Sequence, residues 1–399
     1  WKLQFISGRC AKNISFEREH KGMDDFYSRK DTKIIKGIAI VLMLIHHLWA
    51  FPERIGGTLR HLIELSDTSL IIHLGFFGRI CVSIFFFCGG YGIYMESKER
   101  KIDILEKLKR LYMSYWKVFF IFIPIAFAFF RNQPLYCDCQ EICAKYAIFS
   151  IRDFVANLLG LSCSYNGEWW FLYSYVIATI TYPLIIKILD KFSDVVNIAI
   201  VFIGIIFVAQ IFPAIKQIQV LDSLNGSYIY NAFLCQTAPF VATYWMGIVM
   251  AKGNLLVKLK DALNKNRLLN PIADVFWFGT IIFLREFYLG DVLDVIYVPF
   301  MIICSIDLLE RMKWVKAILY KIGTKSTNMW LIHSFFCYYF YAVVKIIVFL
   351  KWAIPCLVML LILTYIASVG VDLFWEYISK MRIKIAKNIL PLICKKDVS

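Results

Sequence analysis

Apolar runs long enough to cross a bilayer, about 17–25 residues each, recur along the whole chain between short polar stretches. They fall at 34–51, 76–95, 113–130, 168–188, 195–214, 228–251, 269–285, 292–308, 326–344 and 353–375. Each run predicts a helix, so the pattern reads as an all-α polytopic membrane protein with about ten transmembrane helices.

Composition agrees with that reading. Of 399 residues, 60% are hydrophobic and 18% charged, whereas soluble domains carry about 45–50% apolar residues. Placement of Lys and Arg then orients the spans, because cytoplasmic loops carry these residues in excess. With the N-terminus inside, 32 of the 44 basic residues fall on the cytoplasmic side and nine outside, which predicts both termini cytoplasmic. The domain division follows: a cytoplasmic tail over 1–33, a membrane domain over 34–375, and a basic cytoplasmic tail over 376–399. Residues 1–22 are set aside as a candidate upstream remnant, with Met23 a candidate initiator. The net charge of +15 reads as topology and as attraction to anionic lipid. Nucleic acid is excluded as a partner, since the basic residues are spread over six loops and form no single stripe.

Twelve cysteines divide by location. Six lie in apolar spans, where cysteine behaves as a small hydrophobe, and Cys10 and Cys394 fall on the cytoplasmic side. Cys137, Cys139, Cys143 and Cys163 share the loop that the charge rule places outside, and they read as a disulfide framework with three possible connectivities. Free thiols are the alternative. The C-x-C-x-x-x-C spacing fits no standard zinc pattern, so no metal is expected.

The first span carries charge where charge is costly. Its sequence, KGIAIVLMLIHHLW, places Lys36 at one end and His46 and His47 near the other. Intramembrane ionisable groups mark functional sites by default. At 100° per residue, the eleven steps from Lys36 to His47 return to within about 20° of one face, roughly 16 Å further along the axis, while His46 sits about 80° away. The spacing therefore predicts that Lys36 and His47 line one groove. A snorkelling lysine and two histidines bonded to neighbouring helices would also fit.

KGIAIVLMLIHH resembles the first-helix motif of the acyltransferase type 3 family, an Arg separated by ten residues from a His, with Lys36 in the Arg place and His47 in the His place. KLKRLYMSYW is similar to the family's second motif, Arg-x-x-Arg, with Lys107 and Arg110 in the two Arg places. GRICVSIFFFCGGYGIY, NGEWWFLYSYVIATITYPL and GTKSTNMWLIHSFF extend the similarity, in the family's order, over about residues 31–340. The departure to Lys36 keeps the charge and loses the planar fork.

The resemblance implies a bacterial cytoplasmic-membrane O-acyltransferase that moves an acyl group, usually acetyl from acetyl-CoA, onto a cell-surface or lipid-linked glycan. No bound cofactor or metal is implied; acyl-CoA is the donor substrate, and the bilayer and the glycan are the other partners. Such transfer needs a base for the sugar hydroxyl, and His suits because its pKa lies near neutrality. It also needs cations for the donor's phosphates. His47 and Lys36 are the catalytic candidates, with Lys107 and Arg110 beside the donor. Glu168 and Trp170 suit a sugar, His333 shares a helix face with Ser326, and Arg79 suits an anionic group. A polysaccharide exporter or a membrane sensing domain without acyl transfer is the alternative function. An exporter is expected to show paired halves with matching broken helices, which the sequence does not display.

Overall fold

The computed structural model describes residues 26–57, 59–60, 70–216 and 238–396. Among them every regular element is helical, apart from one isolated β-bridge between Arg60 and Trp352. Sixteen α-helices are described. The first eleven are α1 (Arg29–Trp49), α2 (Leu70–Phe77), α3 (Ile80–Ser97), α4 (Ile104–Phe129), α5 (Gln140–Cys143), α6 (Ile151–Leu158), α7 (Trp170–Leu189), α8 (Asp194–Lys216), α9 (Ala238–Lys252), α10 (Leu255–Lys265) and α11 (Pro271–Leu284). Five more complete the described chain: α12 (Asp294–Arg311), α13 (Lys313–Thr324), α14 (Ser326–Ser334), α15 (Tyr341–Val348) and α16 (Ala353–Lys396).

The helix α1 begins five residues before its apolar run because its polar first turn is capped. The Ser28 hydroxyl accepts from the Asp31 N–H at 3.2 Å, and the Asp31 carboxylate accepts from the Ser28 N–H at 3.1 Å, which satisfies two donors the helix leaves unpaired. Hydropathy counts only the segment in lipid and therefore starts late. The helix ends at Trp49, and Pro52 then opens a single 3-10 turn, Pro52–Arg54.

Six described helices are long and apolar enough to cross a membrane, and eight if each bent pair counts as one span. The expected ten are reduced for identifiable reasons. The run at 326–344 is broken at Phe340, so Ser326–Tyr339 and Tyr341–Val348 meet at 84°. The helix ending at Lys252 bends by 75° into Leu255–Lys265, and the first part of the expected 228–251 span lies outside the described residues. The expected 269–285 span is a 14-residue helix followed by a π turn at Arg285–Leu289. Hydropathy cannot see a bend, because the residues on either side of it are equally apolar.

Close helix contact puts α1 at the centre, packed along α3 on one side and α13 on the other. Glycine permits the second contact: a methyl group at Gly323 would collide with the Lys33 carbonyl. Without a strong hydrophobic drive between helices in lipid, small residues and interhelical hydrogen bonds carry such packing. One buried charge pair also ties the bundle. Arg285, 5% exposed, donates to both Asp294 oxygens at 2.8 and 3.2 Å, and the Ser83 hydroxyl donates to Asp294 at 2.5 Å.

Candidate active site

The end of α1, the Pro52–Arg54 turn and the start of α7 converge on a cavity of about 340 Å³. His46 and His47 line it from α1, Arg54 from the turn, Arg79 from the α2–α3 junction, and Glu168 and Trp170 from the start of α7. Aromatic rings supply much of the remaining wall, among them Phe51, Phe85, Phe171 and Trp330.

Two hydrogen bonds fix the tautomer of His47. The Tyr338 hydroxyl donates to the backbone carbonyl of His47 at 2.8 Å and lies 2.8 Å from His47 Nδ1. Its one proton is committed to the carbonyl, so Nδ1–H donates to the phenol oxygen, and in the neutral ring Nε2 is the nitrogen that carries the lone pair. His46 is oriented in the same sense, its Nδ1 donating to the Gly75 carbonyl at 2.9 Å. The rings of His46 and His47 are 4.8 Å apart, edge to face, and that of His333 lies 4.7 Å from His47 on the other side. His333 is fully buried, its Nδ1 donates to the Trp330 carbonyl at 2.6 Å, and its Nε2 has no hydrogen-bond partner. It backs His47 and does not line the cavity.

The charged groups form a short chain across the mouth. Arg54 lies 3.6 Å from Glu168 Oε1 and stacks 4.2 Å over the Phe51 ring. Burial alone lowers the Arg54 pKa, but Tyr338 and Glu168 more than offset it and hold the guanidinium above its ordinary value. Glu168 also accepts from the Tyr339 hydroxyl at 2.8 Å. Arg79 pairs with Asp291 at 3.5 Å.

Lys36 is elsewhere. It lines a second cavity of about 560 Å³ at the other end of α1, together with Arg29, Lys33, Arg100 and Arg110, and a narrow one of about 110 Å³ between the two. Phe85, Phe171 and Trp330 line both the narrow cavity and the His47 cavity. The helical-face expectation is thus met in one respect and corrected in another. Lys36 and His47 face one run of cavities, yet they do not share a cavity. His46, placed off the face by the spacing, lines the same cavity as His47, because the site is wider than the stripe of one helix.

Arg110 borders the Lys36 cavity, and with Lys107 it also borders a fourth, of about 190 Å³. Lys107 is 2.5 Å from Glu96, and Arg110 pairs with Glu106. Among the described residues no group of three or more His, Cys, Asp or Glu is arranged to hold a metal ion.

A family model described as an acyltransferase domain matches residues 31–371. The chain belongs to the acyltransferase type 3 family. No curated protein and no solved structure matches it. Membership makes the chain a membrane acyltransferase in general terms, and the family match contains every candidate residue named above. Sequence reasoning missed Arg54, Tyr338 and Asp291. Arg54 carried a weak signal, since a basic residue beside Phe51–Pro52 just past an apolar helix marks a turn at a membrane surface.

Proposed function

We propose that this acyltransferase transfers an acyl group, acetyl from acetyl-CoA, to a hydroxyl of a cell-surface or lipid-linked glycan in the bacterial cytoplasmic membrane. The observation that carries the proposal is the run of cavities. Arg29, Lys33, Lys36, Arg100 and Arg110, with Glu96 and Glu99, line the Lys36 end and the His47 imidazole lines the other, with Phe85, Phe171 and Trp330 walling the junction. A donor with a charged nucleotide at one end of a long arm and a thioester at the other suits that layout.

In this reading Lys36 and Arg110 hold the donor's phosphates, with Lys107 beside them, and the arm reaches past Trp330. The glycan enters the His47 cavity, where Trp170 offers a flat apolar face to a sugar ring and Glu168 accepts from its hydroxyls. His47 Nε2 takes the proton of the attacking hydroxyl while the sugar oxygen bonds to the thioester carbonyl carbon. The carbon–sulfur bond then breaks, and the proton on His47 passes to the leaving thiolate. General acid–base help of this kind contributes about 10²–10⁴-fold. Arg54 and Arg79 lie where negative charge on the acceptor or the tetrahedral oxygen is stabilised.

The test is mass analysis of surface glycan acylation in cells carrying the protein, lacking it, or carrying His47→Ala. Loss of one acyl mass increment in the last two supports the assignment. Unchanged acylation in cells lacking the protein overturns it.

A further inference from the structure

The outer loop between α4 and α7 contains a pair of thiols already in contact. Cys137 and Cys143 are both buried, and their Sγ atoms lie 3.5 Å apart. Cys143 comes from the last position of the single-turn helix α5, and Cys137 from the bend just before it. Cys139 lies between them in sequence, and among the described residues the structure shows no sulfur–sulfur contact for it like that of Cys137 and Cys143. It opens the helix with its carbonyl, which accepts from the Ile142 N–H at 3.0 Å, and its side chain is half-exposed. Closing a bond of about 2.05 Å between two sulfurs in contact needs only small side-chain rotations.

We infer that Cys137 and Cys143, of the loop's four cysteines, are joined by a disulfide that braces the segment carrying Arg54 into the His47 cavity. The inference rests on the reading that this loop faces the oxidising side of the membrane. Two thiols lose two protons and two electrons to form the bond. The acceptor is the disulfide of a thiol–disulfide oxidoreductase, which departs as a dithiol. The bridge closes the turn that abuts the Pro52–Arg54 segment. The Asp138 N–H donates to the Glu53 carbonyl at 3.2 Å, and Gln133 accepts from the Tyr341 N–H at 2.7 Å at the bend of the broken helix. Asp138 lies inside the 137–143 ring, so a closed ring braces the residue before Arg54.

The test is direct mapping on the full protein in membranes from the producing cells. Thiols are first blocked with N-ethylmaleimide at low pH, and the protein is then cut with trypsin, Asp-N and Glu-C. Cleavage after Arg131, before Asp138, after Glu141 and after Lys145 places Cys137, Cys139 and Cys143 on three separate fragments. The expected result is fragment 132–137 linked to fragment 142–145 with the loss of two hydrogens, and fragment 138–141 carrying one maleimide. A link through Cys139 or Cys163 overturns the pairing, as do three maleimide-labelled fragments with no link. A membrane-impermeant maleimide on intact cells separates the causes. Labelling of Cys139 from outside together with unlinked Cys137 and Cys143 sinks the disulfide alone, and labelling only after permeabilisation sinks the topology with it.

Discussion

Tyr338 holds both ends of His47, donating to its carbonyl and accepting from its Nδ1, each at 2.8 Å. The residues are 291 positions apart in the chain, so the ring that is proposed as the base is oriented by a broken helix distant in sequence and adjacent in space. His47→Ala is expected to abolish transfer. Tyr338→Phe keeps the ring but removes both hydrogen bonds, each of about 0.5–1.5 kcal/mol, so kcat should fall by roughly fivefold to a hundredfold with the donor KM unchanged. His46→Ala should keep a substantial part of the activity. Steady-state kinetics on equal amounts of inserted protein decide this, and a His46→Ala loss as deep as that of His47→Ala refutes the assignment.

Lys36 should act on the donor alone. Lys36→Met retains much of the stem and removes the charge, so the KM for acyl-CoA should rise by about tenfold to a hundredfold, the equivalent of a charge-assisted hydrogen bond of about 1.5–3 kcal/mol. Lys36→Arg should stay active. If Lys36→Met leaves donor dependence unchanged and lowers only the amount of inserted protein, the lysine is a topology anchor.

The Arg285–Asp294 pair should matter for stability in proportion to its burial. Removing one partner leaves a buried charge unmatched, which costs about 3–5 kcal/mol, whereas replacing both with apolar residues is often close to neutral. Arg285→Met and Asp294→Leu should each lower the apparent melting temperature in detergent, and the double variant should recover most of the loss. Equal melting of wild type and single variants would dismiss the pair as a structural tie.

Gly90 and Gly92 offer a matched comparison on one helix. A methyl at Gly90 would meet the Tyr244 carbonyl, while one at Gly92 meets nothing within 4 Å. Overpacking of this kind costs about 1–3 kcal/mol, so Gly90→Ala should reduce the yield of folded protein and Gly92→Ala should not. Similar yields for both would mean that α3 and α9 shift apart freely.

The orientation of the bundle is checked by labelling. Cysteine introduced at Ser97 should be protected from an impermeant reagent in intact cells, and the half-exposed Cys139 or Cys163 should be reachable from outside. A reactive position 97 inverts the topology.

The helical class and the family were legible in the sequence, because a bilayer imposes long apolar runs and the family's motifs lie in or beside them. The break at Phe340 was not legible, since FFCYYFY is apolar on both sides of the bend. Nor was the role of Tyr338, whose aromatic neighbours hide it, or that of Arg54, one charge beside Glu53 in the loop that follows α1. The helical-wheel argument for Lys36 and His47 located their common side but treated α1 as if it faced one groove. The packing of α3, α7 and α14 against that face divides the groove into successive chambers.

The close fit of Gly323 against Lys33 has a consequence for which donors can serve. It fixes the height of α1 against its neighbour, so the eleven-residue step from Lys36 to His47 works as a ruler of roughly 16 Å. On the proposed assignment, a donor must carry its phosphates and its reactive carbonyl about that far apart. Acetyl phosphate, whose charged and reactive ends adjoin, falls short of the mark, while a thioester on a long flexible arm spans it.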